Sequence, residues 1–171
     1  MMFSKYKIRQ AEVKDINAIW QLLQAGILKR QVEGSTQWQD GYPNLDVVKN
    51  DIAKQYGIVV ENQEQQIVAY IAMIVGVEEV YEKIIGEWIS TQPYFVFHRL
   101  IVDLQNPIKG FATWFMTELE TLVLAKNIHS IKVDTNFDNT GMLRIFEKLN
   151  YRYCGKVYFR GSERLAFEKL I

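Results

Sequence analysis

The residues with the clearest chemical potential lie between Pro107 and Thr113, PIKGFAT. Upstream is an apolar run that ends at Val102, and from Gly110 onward the apolar residues fall on one helical face. A chain that passes from a strand through a glycine-containing loop into a helix leaves backbone N–H groups unpaired at the helix start, where the helix dipole is positive. That is a seat for an anion, best suited to a phosphate. Lys109 adds charge to it, and Pro107 brings no N–H of its own. The competing reading is a plain turn before a core helix. Upstream, His98 interrupts the apolar run. A histidine can accept a proton from a nucleophile near neutral pH, and it can equally be a hydrogen-bonded structural group inside a strand. Glu78, Glu79 and Glu87 are rival acid–base groups or a solvated surface. Arg99 should point away from His98, into a structural ion pair.

These residues must be positioned by the elements around them. Tyr94 to Val102 reads as a strand from Phe95, Val96, Phe97, Leu100, Ile101 and Val102. Asp103 to Lys109 is a polar turn. The helix that opens at Gly110 carries Ala112, Phe115, Met116, Leu119 and Val123 on one face. At the N-terminal end, Tyr6 to Ala11 is a short strand. A helix follows from Asp15, its expected N-cap, to Arg30, with Ile16, Ile19, Trp20, Leu23 and Ile27 on one side. The polar connection Glu33 to Asn44 leads to a second helix, Leu45 to Gln55, capped by Asn44 or Asp46. Gly57 to Glu61 and Ile67 to Val75 form a hairpin, and Glu78 to Gln92 is irregular. Ser130 to Thr135 alternates as a strand with Ile131, Val133 and Thr135 on one side. A helix from Asn139-Thr140 to Leu149 and a closing hairpin, Tyr151 to Phe159 with Arg164 to Leu170, complete the chain. The order β-α-α-β-β-β-α-β-α-β-β predicts an α/β sandwich on a mixed sheet.

Bulk properties narrow the function. The 171 residues suffice for one domain with a full core. Equal numbers of acidic and basic residues give a formal net charge of zero, without the basic excess of a nucleic-acid binder. The single cysteine, Cys154, excludes an internal disulfide framework and fits a reducing compartment. The start of the chain, MMFSKYKIRQ, has no apolar signal core, and the longest apolar run, Ile67 to Val77, is too short to span a bilayer. The expectation is a cytoplasmic monomer or homodimer with no nucleic-acid or membrane partner.

Two stretches resemble the GCN5-related N-acetyltransferase (GNAT) superfamily, in the manner of its bacterial single-domain members. In that family a strand ending hydrophobic-x-Val-Asp leads to Gln/Arg-x-x-Gly-x-Gly/Ala at a helix start. Here the ungapped match is Pro107, Ile108, Lys109, Gly110, Phe111 and Ala112. The Gly-x-Ala half is intact, while Pro107 replaces Gln/Arg and Ile108 stands where glycine is common. The second stretch is Asn139, Met142, Ile145, Phe146, Glu147, Lys148, Leu149, Asn150 and Tyr151, which matches the family's C-terminal helix motif without a gap. Phe146 occupies the position of the usual general-acid tyrosine. Asn150 replaces a glycine, and asparagine tolerates the left-handed backbone of a helix end. The resemblance implies an α/β (α+β) GNAT-like fold, a mixed, mostly antiparallel central sheet with helices on both faces, as one domain over residues 1–171.

It also implies a function: transfer of an acetyl group from acetyl-CoA, as co-substrate and without a metal, to a primary amine of a small molecule or a peptide N-terminus. By the resemblance, backbone amides from Ile108 through Lys109, Gly110, Phe111 and Ala112 to Thr113 seat the pyrophosphate. Leu100, Ile101 and Val102 pair with the pantetheine arm, as in β-augmentation, and Asn139 contacts CoA. A backbone N–H near Leu100 is the natural donor to the developing oxyanion. His98 is the candidate base. Phe146 cannot protonate the leaving thiolate, a loss of roughly 10²- to 10⁴-fold for general acid help, though a thiol of pKa roughly 8.5 leaves tolerably without it. Tyr151 or Tyr153 could substitute or could simply pack in the hairpin. Trp38, Tyr42 and Trp88 are candidate walls of the acceptor pocket or covers of the core. The alternative function is a non-catalytic acyl-CoA-binding or regulatory module, motivated by Pro107 and Phe146.

Overall fold

The computed structural model describes residues 3–171. Along these residues run β1 (Lys7–Gln10), α1 (Ile16–Val32), α2 (Leu45–Ala53), β2 (Gly57–Glu61), β3 (Ile67–Val75), β4 (Ile85–Gly86), β5 (Phe95–Val102), α3 (Phe111–Leu124), β6 (Ser130–Thr135), α4 (Thr140–Lys148), β7 (Arg152–Phe159) and β8 (Ser162–Leu170). The strands form one sheet in the order β1-β2-β3-β5-β6-β8-β7-β4. The β5–β6 pair is parallel, and β1–β2, β2–β3, β6–β8, β7–β8 and β4–β7 are antiparallel. The element order predicted a mixed sheet, and the family resemblance implied that it would be mostly antiparallel; both describe this sheet. No helix among the described residues is long and apolar enough to cross a membrane.

The chain packs as two compact units, one made of the residues up to Met73 with Arg99–Phe111, the other of Ile74–His98 with Ala112–Ile171. In the first unit α1 buries Ile19 and Leu23, and β2 and β3 bury Val59, Val60, Ala69, Tyr70, Ile71 and Ala72. Gly26 lets α1 approach β5, since a Cβ there would stand 2.8 Å from Ile101 Cδ1. Asn44 caps α2 as expected, its Oδ1 accepting from the Val47 amide at 3.0 Å. Asp15 stands at the expected N-cap position of α1, but its side chain makes no capping bond there. Its carboxylate instead accepts from Arg9 Nη1 and Nη2 at 2.7 and 2.9 Å and from the Glu12 amide at 2.8 Å, closing a short 3-10 turn ahead of the helix. A nearby arginine is a stronger partner for a buried carboxylate than a neutral helix amide.

In the second unit α3 buries Phe115, Met116, Leu119 and Val123, as its periodicity predicted, and β6 buries Ile131 and Val133. The edge strand β4 lies inside the segment read as irregular. Its residues Ile85 and Gly86 pair with Lys156 and Gly155 of β7. The backbones approach so closely that a Cβ on Gly86 would lie 2.2 Å from the Cys154 carbonyl oxygen, and one on Gly155 2.3 Å from that of Ile85. Glycine at both positions makes the pairing possible. A two-residue strand has no hydrophobic period to reveal it. Glu168 is wholly buried in this unit, its Oε2 accepting from the Ile89 amide at 2.6 Å and its Oε1 from the Ser90 and Ser130 hydroxyls at 2.6 and 2.7 Å.

Candidate active site

The loop after β5 is ordered by its own polar groups. The Asp103 amide donates to the Val68 carbonyl at 2.8 Å, and the Asp103 carboxylate accepts from the Gln105 amide and the Asn106 side chain, both at 2.9 Å. Gly110 adopts φ +80, and nothing stands within 4 Å of where its Cβ would be. Glycine is needed here for backbone freedom rather than for space. The Phe111 amide donates to the Ile108 carbonyl at 3.1 Å, and α3 begins at Phe111, one residue later than its pattern suggested. Ala112 and Thr113 lie in the first helical turn, where amides lack a carbonyl four residues earlier. Lys109 is exposed. An open loop with a left-handed glycine at a helix start fits a phosphate-bearing ligand. Asn139 is the N-cap of α4, its Oδ1 accepting from the Met142 amide at 3.3 Å.

His98 lies just past the β5–β6 register, which runs from Phe95↔Ile131 to Phe97↔Val133. Its imidazole is bracketed by carboxylates. Nε2 is 3.2 Å from Glu78 Oε2, and Nδ1 is 3.9 Å from Asp134 Oδ2. The Tyr81 hydroxyl donates to the same Asp134 oxygen at 2.7 Å. The Glu78 amide donates to the Tyr94 hydroxyl at 3.2 Å, which fixes the backbone that presents the carboxylate. The Tyr81 and Phe159 rings wall the imidazole, with centroids 6.3 and 5.9 Å from it. Burial pushes the Asp134 carboxyl above its ordinary value, against the opposing pull of His98 and Tyr81. Burial, with Asp134 adding to it, pushes the Tyr81 hydroxyl well up.

Glu78 is thus the member of the acidic trio that reaches His98, while Glu79 and Glu87 are exposed and Glu79 pairs with Lys83. Asp134 and Tyr81 were not among the expected site residues. The signal for Asp134 was available, since it sits on the β6 face opposite Ile131, Val133 and Thr135. Arg99 forms the expected buried ion pair, with Nη2 2.7 Å from Asp51 Oδ1 and Nε 3.0 Å from Oδ2. It does so with φ +60, a left-handed residue next to His98.

The three aromatic candidates have different settings. Trp38 packs beside Gly26, 3.0 Å from its virtual Cβ. The Tyr42 hydroxyl accepts from Arg99 Nη1. Trp88 donates from Nε1 to the Tyr81 carbonyl at 2.8 Å, and its ring carries the Lys132 ammonium 4.5 Å from the centroid. Phe146 is buried against Tyr151 and Phe167, with centroids at 5.4 and 5.1 Å. Asn150 takes the left-handed φ of +62 expected of it. The Tyr151 ring lies 5.7 Å from Lys169 Nζ, and Lys169 sits opposite Ile131 in the β6–β8 register. That is three residues along β6 from Asp134, about 10 Å, so Tyr151 packs in the hairpin rather than beside His98. Tyr153 is 57% exposed. His129 is exposed, as expected.

No family model matches the sequence, and no curated protein matches it. Solved structures do. An acetyltransferase of the GNAT family from Streptococcus agalactiae 2603 is 34% identical, with a TM-score of 0.88, and the match covers 98% of this chain and 96% of that one. The chain belongs to the GNAT family of acetyltransferases. A GNAT-family acetyltransferase from Listeria monocytogenes 4b F2365 shares the fold at 15% identity and a TM-score of 0.78, over 97% of this chain and 95% of that one. So does yncA from Salmonella typhimurium, solved with its cofactor acetyl-CoA, at 13% identity and a TM-score of 0.69, over 98% and 94% of the two chains. In this GNAT chain Gly110, at the motif position, is the open left-handed residue before α3, and Asn139 is the cap of α4.

Proposed function

We propose that this GNAT-family acetyltransferase is a single domain over residues 1–171 that transfers the acetyl group of acetyl-CoA to a primary amine, carried by a small molecule or a peptide N-terminus. The observation that carries the reading is a titratable cluster around His98, at the end of the parallel β5–β6 pair, in a chain that resembles an acetyltransferase over nearly its whole length. Amides from Ile108 to Thr113, with Lys109, hold the pyrophosphate. Leu100, Ile101 and Val102 pair with the pantetheine arm, and the Leu100 N–H steadies the oxyanion. Asn139 touches CoA from the start of α4. The His98 cluster removes the amine proton. Trp38, Tyr42 and Trp88 line the acceptor side. A cytoplasmic setting agrees with the single free cysteine, Cys154.

A second reading, a non-catalytic acyl-CoA-binding module, is favoured by one observation: buried Phe146 stands where the family places its acid. Calorimetric titration with acetyl-CoA, CoA and dephospho-CoA, followed by a thiol-release screen over primary amines, separates the two. One-site binding with thiol release supports the enzyme, and binding without turnover supports the module. Gly110→Glu should abolish acetyl-CoA binding, because a side chain and a negative charge enter the phosphate seat. Unchanged affinity in that variant sinks the loop assignment.

A further inference from the structure

On the acetyl-transfer reading above, we propose that Glu78 is the catalytic residue that takes the proton from the acceptor amine, and that His98 is a positioning residue clamped between Glu78 and Asp134. A neutral imidazole has one N–H and one lone pair. Here both ring nitrogens face carboxylates of the protein, Nε2 at 3.2 Å from Glu78 and Nδ1 at 3.9 Å from Asp134. Were the lone pair on Nε2, it would face the lone pairs of the Glu78 oxygen at hydrogen-bond distance, which is repulsive. The Glu78 contact therefore calls for an N–H on Nε2. A lone pair on Nδ1 points toward Asp134, whose side chain is only 9% exposed and whose Oδ2 already accepts from Tyr81. Neither arrangement leaves an imidazole lone pair for an incoming amine.

Glu78 is differently placed. Its side chain is 24% exposed, against 14% for His98. Oε2 is engaged by His98, while Oε1 accepts no hydrogen bond from any described residue. The chain Tyr81–Asp134–His98–Glu78 thus ends on one open oxygen. The Arg164 charge also favours the ionised form of Asp134, and Arg164 is itself held by Asn136 and by the Ser162 hydroxyl at 2.6 Å. In the reaction an ammonium acceptor gives one proton to Glu78 Oε1. The freed nitrogen lone pair forms the C–N bond at the thioester carbon, and the C–S bond breaks. Sulfur leaves with that electron pair and takes the second proton from nitrogen, which suits a site with phenylalanine at position 146. Glu78 then returns its proton to solvent.

Two measurements test the assignment. In protein labelled with ¹⁵N-histidine, His98 and His129 are the only signals, and His129→Gln assigns them. A proton on Nε2 of His98 is expected, whatever the state of Nδ1. A bare Nε2 overturns the proposal, and this readout needs no substrate. The second is turnover with acetyl-CoA and a panel of phenethylamine, spermidine and a peptide with a free N-terminus. Glu78→Gln should lower kcat by roughly 10² or more with the KM for acetyl-CoA unchanged. His98→Gln keeps an N–H donor to Glu78 but no base, so it should retain more activity than Glu78→Gln and more than His98→Ala. If His98→Gln falls as far as Glu78→Gln, or no further apart from His98→Ala than error, His98 is the base and the proposal fails. If the wild type turns over none of the amines, the acetyl-transfer reading fails instead, and the Nε2 proton still decides the geometry.

Discussion

Removing the Asp51 carboxylate should cost this protein a large part of its stability. Arg99 and Asp51 are 9% and 1% exposed, and they meet through two hydrogen bonds of 2.7 and 3.0 Å. The Tyr70 hydroxyl donates to Asp51 Oδ2, and the Tyr42 hydroxyl accepts from Arg99. In Asp51→Ala the guanidinium stays buried with only the neutral hydroxyls of Tyr42 and Tyr70 beside it, a situation that costs about 3–5 kcal/mol. The pair also holds Arg99 at φ +60, a left-handed conformation that costs a non-glycine residue about 1–2 kcal/mol. For a chain of this size each kcal/mol shifts Tm by about 2–4 °C, so Asp51→Ala should melt about 6–20 °C below wild type. Thermal unfolding followed by circular dichroism at pH 7 measures this. Asp51→Leu with Arg99→Leu replaces both charges by apolar groups and should melt above Asp51→Ala, because no charge is left stranded. An Asp51→Ala variant that melts with wild type, or a double variant less stable than the single one, would refute the account of a buried pair that matters through its mutual satisfaction.

Three further outcomes can be checked by the same unfolding assay. Gly155→Ala places a Cβ 2.3 Å from the Ile85 carbonyl oxygen at φ +141, and should destabilise by about 1–3 kcal/mol with loss of amide protection at Ile85 and Gly86. Glu168→Ala strands the Ile89 amide and the Ser90 and Ser130 hydroxyls, and should cost about 3 kcal/mol or more. Asp15→Asn addresses pH. Burial acts to raise the Asp15 carboxyl, but the bonds from Arg9 and the Glu12 amide outweigh it and hold the group below its ordinary value. A carboxyl depressed in the folded state contributes stability above its unfolded pKa and loses that contribution as pH falls through the folded one. Wild type should therefore lose more stability than Asp15→Asn on acidification below the ordinary carboxylate range; parallel pH profiles would show that Asp15 contributes nothing to acid sensitivity.

The elements of this fold were legible wherever the information was local. The burial of Phe115, Met116, Leu119 and Val123 follows from a 3.6-residue period that needs no partner to be read. The Asn44 cap and the left-handed Asn150 are short-range chemistry of the same kind. The glycine at position 110 and the strand–loop–helix order around it marked the candidate anion seat, because a helix start exposes amides in any context. What the chain order alone could not assign were the pairings made across long separations. Asp15 sits at the N-cap of α1 as its position indicated, but Arg9 of β1 takes the carboxylate that would have capped the helix. The edge strand β4 exists because Gly86 meets Gly155 across the sheet, a contact with no signature in either local pattern. Glu78, Tyr81 and Asp134 are 20, 17 and 36 residues from His98 in sequence, and a single strand pair with one tyrosine-bearing turn brings them to one imidazole. Residue type and spacing determined which groups could hold a phosphate or move a proton; the packing of distant strands decided which carboxylates face His98, because a polar group's role is set by the partners that burial forces on it.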